Sequence, residues 1–77
     1  MNNHEIKTLI ETFLTESRVI VTGDGCHVEA TIISDHFAGL STVKRQQLVY
    51  AGLMDSIRQG ALHAISLKTF TQSEWDK

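Results

Sequence analysis

Apolar positions recur at helical spacing in two stretches of the chain and read as strands in three others. Ile6, Leu9, Ile10 and Phe13 follow i, i+3, i+4, i+7, with Leu14 beside them. Asn2 and Glu5, three apart, form a capping-box pattern at the start of this first helix. Arg18 to Thr22 is short and β-branched, as a strand prefers. Gly23-Asp24-Gly25 is a turn cluster, and Cys26 to Ile33 then alternates. Val28, Ala30 and Ile32 share one face of that second strand, and His27, Glu29 and Thr31 the other. The two strands read as a hairpin.

Ser34 to Leu40 breaks the pattern and leads into the longest helical segment, capped by Ser41 or Thr42. Val43, Tyr50, Leu53, Met54 and Ile57 form its predicted apolar stripe. Leu48 lies off that stripe and is expected on the surface. Gln59-Gly60 ends the helix. His63 to Phe70 reads as a third strand, with Ile65 and Leu67 facing inward and His63 on the same parity. Thr71 to Glu74 is a second capping box, and Phe70 and Trp75 occupy staple positions around a short last helix. The order α-β-β-α-β-α predicts a single α/β (α+β) domain over residues 1–77. A hairpin followed by a helical crossover implies a three-stranded mixed sheet with helices on one face.

Seventy-seven residues are enough for one small core. The single cysteine excludes an internal disulfide framework. No segment approaches the ~20 apolar residues of a membrane span, and MNNHEIK lacks the pattern of a secretory signal. The expected setting is the reducing cytoplasm. The formal net charge is −2, whereas nucleic-acid modules usually carry a basic excess. A nucleic-acid role would rest on Lys44 and Arg45 at the start of the long helix. That patch is equally a solvated helix start, so any DNA binding is expected to be weak.

No catalytic constellation stands out, and an enzyme is not expected. Asp35 and His36 adjoin but read as a solvated turn. The metal-capable residues are Cys26 and His27 at the hairpin tip, His63, and His4 near the N-terminus. None has close-set metal-motif spacing. By spacing alone, Cys26 is a small half-buried hydrophobe and His63 a strand-end histidine.

The segment Phe37-x-Gly39-x-Ser41-x-Val43-x-Arg45-Gln46-x-x-Val49-Tyr50 resembles the signature of the BolA-like proteins. Leu62 to Thr69, then Thr71 to Trp75, match the same family in the same order. The resemblance spans nearly the whole chain and is closest to short bacterial members. It implies a fold similar to the type II KH domain. The Gly-x-x-Gly loop that clamps nucleic acid in KH domains has no counterpart here.

The resemblance also implies a partner and a cofactor. BolA-like proteins pair with monothiol glutaredoxins and share a 2Fe–2S cluster, glutathione being bound on the glutaredoxin side. Carried over, His63 is the first ligand candidate and Cys26 the second, with His27 as the alternative to Cys26. Two ligands cannot complete such a cluster, so the isolated chain is expected to be apo, as a monomer or weak homodimer. The other activity associated with the family is transcriptional regulation of stress response or cell morphology, through Lys44 and Arg45. Helical crossover returns the chain beside the hairpin, so His63 and the hairpin tip are expected at one corner.

Overall fold

Local signals at the element ends are satisfied by short hydrogen bonds. The computed structural model describes residues 1–24 and 27–77; Gly25 and Cys26 lie outside the described residues. Helix α1 spans Asn3–Phe13. Its capping box is closed in both directions, Glu5 N–H donating to Asn2 Oδ1 at 2.8 Å and Asn2 N–H to Glu5 Oε1 at 3.0 Å. Strands β1 (Arg18–Thr22) and β2 (Val28–Ile33) form the hairpin. A 3₁₀ turn, Asp35–Phe37, precedes helix α2 (Thr42–Arg58). Ser41 is the cap that the sequence left open between two hydroxyls, accepting from Lys44 N–H at 3.3 Å. Strand β3 is Ile65–Phe70 and helix α3 is Gln72–Trp75.

The sheet order is β1-β2-β3. β1 and β2 pair antiparallel from Arg18↔Ile33 to Thr22↔Glu29. β2 and β3 pair parallel from Val28↔Ile65 to Ile33↔Phe70, with α2 as the crossover. This is the small mixed sheet that the pattern predicts. Val19, Val28, Ala30, Ile32, Ile65 and Leu67 are its buried side chains in the core. Ile6, Ile10 and Leu14 of α1 and Val49 and Leu53 of α2 close over them, with Phe37 and Leu62 from the connections. Each fully buried aliphatic side chain contributes about 1.5–3 kcal/mol. Arg18, Ile20, Ser66 and Lys68 project from the opposite face and are exposed. Helix α3 sits at the end of β3, where Phe70 and Trp75 meet edge to face at 5.4 Å between ring centroids.

Three expectations need correction. The buried face of α2 is rotated from the apolar stripe: Val43 is 64% exposed and Met54 38%, whereas Val49 is fully buried. The docking face runs through Gly52, because an added Cβ there would lie 2.5 Å from the Phe13 ring. Close approach to α1 thus selects a glycine, which an apolar count cannot see. The second correction concerns β3, which begins at Ile65 rather than His63. The third concerns β2, which begins at Val28, so His27 precedes the strand. The two are linked: the first rung of the parallel ladder is Val28↔Ile65, so no described rung is left for His63.

Candidate metal centre

His63 owes its position to the way α2 ends. Gly60 N–H donates to Ile57 O and Leu62 N–H to Ser56 O, both at 3.1 Å, so the chain folds back onto the last turn. Leu62 is then buried in the core, and His63, the next residue, is exposed. Hence the backbone at His63 is placed by a buried neighbour rather than by strand pairing. The hairpin is shaped by Gly23, whose φ of +94° favours glycine. A Cβ there would also collide with the His27 carbonyl. His27 N–H donates to Asp24 O at 2.9 Å, closing the hairpin end.

These two segments wall one cleft of about 670 Å³. Gly23 and Asp24 line it from the hairpin, and Gly60, Ala61, Leu62 and His63 from the loop before β3. Ile6, Val28 and Leu62 contribute apolar lining, and Met1, Asn2 and Asn3 complete it. The expected corner is therefore present for His63 and the described part of the hairpin. Cys26, the expected second ligand, lies outside the described residues. His27 lines an adjoining groove of about 320 Å³ with Val28, Glu29, Ala64, Ile65 and Ser66. His4 is exposed on α1 and does not line the cleft. Among the described residues, no group of three or more His, Cys, Asp and Glu could hold a metal ion.

The nucleic-acid candidates are separated in role. Lys44 is exposed. Arg45 turns toward α3 and binds Glu74 through both terminal guanidinium nitrogens, at 2.6 and 3.1 Å. Its Nε donates to Leu40 O at 3.0 Å, and the guanidinium lies 5.9 Å from the Phe37 ring centroid. The Arg45 hydrogen bonds and the Thr71 N–H hold the Glu74 carboxyl down at about 2. The residues that follow Arg45 along α2 serve β3. Tyr50 O–H donates to Ile65 O at 2.6 Å and Gln46 Nε2 donates to Leu67 O at 3.4 Å. Arg45, Gln46, Val49 and Tyr50 thus hold α3, β3 and the core together, which gives that segment of the signature a structural task.

A second polar cleft, of about 420 Å³, lies at the far end of the sheet and is lined by Glu16, Arg18, Asp35 and His36 among others. His36 Nε2 lies 2.9 Å from Thr15 O, which ties the turn containing Asp35 and His36 to the α1–β1 connection. Asp35 Oδ1 accepts from Gln72 N–H at 3.1 Å. This pair is a hydrogen-bonded turn.

The family model for BolA-like protein matches residues 3–74. The chain belongs to the BolA-like family. It is 40% identical over 75 residues to the acid stress protein IbaG of Escherichia coli, covering 97% of this chain and 89% of that relative. A solved structure of a BolA protein homologue from Coxiella burnetii superposes with a TM-score of 0.89 at 45% identity, covering 100% of this chain and 99% of that one. The DNA-binding transcriptional regulator BolA of Vibrio cholerae is 36% identical over 55 residues, covering 71% of this chain and 51% of that relative. These relatives carry the names of a stress protein and a regulator. No described helix is long and apolar enough to cross a membrane.

Proposed function

We propose that this BolA-like chain is an adaptor that binds a monothiol glutaredoxin and shares a 2Fe–2S cluster with it, glutathione being held on the partner side. His63 is the principal ligand and Cys26 the second, with His27 as the alternative. The observation that carries this reading is the cleft in which exposed His63 faces the hairpin residues Gly23 and Asp24. Imidazole and thiolate are competent iron ligands, and imidazole raises the cluster potential relative to all-thiolate ligation. Ligand counting supports the partner: His63 and one hairpin residue fill only two of a cluster's ligand positions, so the remaining donors come from a second molecule. Ligation needs a thiolate and a neutral imidazole, so cluster retention weakens in acid.

The second reading is regulation by DNA binding, favoured by the name of the Vibrio cholerae relative. Arg45 opposes it, because its guanidinium is engaged with Glu74, and so does the net charge of −2. Mixing the chain with a monothiol glutaredoxin, glutathione, iron and sulfide tests the proposal. Visible absorbance co-eluting with both proteins supports cluster sharing. A colourless complex leaves a bare interaction module and defeats the cluster reading. A DNA titration in the same buffer is expected to stay in the non-specific range of ~10⁻⁴–10⁻⁶ M; salt-sensitive, sequence-selective nanomolar binding would favour the regulator instead.

A further inference from the structure

We propose that Asn3 is a positioning residue for the metal-binding corner. This rests on the cluster-sharing reading and adds to it the means by which the two loops keep their spacing. Asn3 is the first residue of α1, immediately after the N-cap Asn2 and within the closed capping box. Its side-chain amide Nδ2 donates to Gly23 O at 2.9 Å, across to the hairpin. Ahead of the N-cap, the Met1 nitrogen donates to Ala61 O at 2.8 Å, two residues before His63. One short N-terminal segment is therefore bonded to both walls of the cleft.

The closed capping box makes this segment a stable anchor, because both Asn2 and Glu5 are committed to holding the helix start. Gly23, the acceptor of the Asn3 bond, precedes Asp24, whose carbonyl receives His27 N–H. Releasing Asn3 frees the near side of the hairpin end while the core beneath it stays packed. A cluster ligated from two loops needs their separation fixed, since supporting groups govern ligand geometry.

The test is Asn3→Asp. This change keeps the shape, and an acidic residue in the first turn suits the helix dipole. A carboxylate cannot donate, so the bond to Gly23 O is lost. In the apo protein, the His27 amide should exchange with solvent roughly fivefold faster, the worth of one hydrogen bond. Amides of Val49 and Leu53 should be unchanged. In the mixed complex with glutaredoxin and glutathione, the cluster should be lost about tenfold faster, as for other supporting groups, with an altered visible circular dichroism band. Unchanged His27 exchange and an unchanged cluster lifetime would overturn the positioning role. His63→Ala run in parallel keeps the two ideas apart. If His63→Ala leaves the cluster untouched, the cluster reading fails, and the apo exchange still decides whether Asn3 holds the hairpin.

Discussion

Two residues on the apolar stripe of α2 should differ sharply on truncation. Leu53 is fully buried and Val43 is 64% exposed, though both fit the same helical pattern. Leu53→Ala should cost about 2–5 kcal/mol, the transfer of the lost groups plus the cavity left behind. Val43→Ala should stay within about 0.5 kcal/mol of wild type. Val49 lies off the stripe but is fully buried. Val49→Ala removes two methyl-sized groups, worth about 1.6 kcal/mol at ~0.8 each before any cavity cost. Alanine's better helix propensity returns about half a kcal/mol. A domain of this size has a total stability of about 4–12 kcal/mol at 0.05–0.15 kcal/mol per residue, so Leu53→Ala removes a large share of it. Urea unfolding followed by circular dichroism reads these changes as shifts in midpoint at constant slope. The order Leu53, Val49, Val43 is expected. Equal midpoints for Val43→Ala and Leu53→Ala, with Val49→Ala neutral, would refute the observed orientation of α2.

Two further outcomes follow from the polar contacts. The folded Glu74 carboxyl sits at about 2, below its ordinary 4.5, so its contribution to stability is complete above about pH 4.5 and fades as pH falls toward 2. Glu74→Gln should remove that part of the acid sensitivity; an acid-unfolding curve shaped as in wild type between pH 4.5 and 2 would contradict the role given to the Arg45–Glu74 pair. Tyr50→Phe should cost about 1 kcal/mol through the lost bond to Ile65 O and speed amide exchange at the start of β3. Exchange there identical to wild type would show that the hydroxyl does not hold the strand.

Much of the fold was legible because its signals are local. Asn2 with Glu5 and Thr71 with Glu74 announce two helix starts, and both boxes close as their spacing implies. Val28, Ala30 and Ile32 alternate onto the core as read. The orientation of α2 was not legible, because it depends on the contact of Gly52 with Phe13, and glycine carries no hydropathy signal. The start of β3 is hidden from the sequence for a related reason. His63 has the parity of Ile65 and Leu67, but pairing depends on where β2 begins, which parity does not state. Arg45 looked like a free cation at a helix start, and only its distant partner Glu74 reveals its task. In the candidate site, His63 is singled out by family resemblance, not by spacing. Asn3 had no signal in the sequence beyond its place after the cap, since its bond to Gly23 joins residues far apart along the chain.

Visible circular dichroism of the glutaredoxin complex, wild type against His63→Ala, tests the central claim most directly. His63 is exposed, so the variant should keep the wild-type fold and its unfolding midpoint. Replacing a cluster ligand should change the sign or position of the visible bands and shorten the lifetime of the cluster. Superimposable spectra and equal lifetimes would mean that His63 is not a ligand, and that the cleft beside it does not hold a shared cluster.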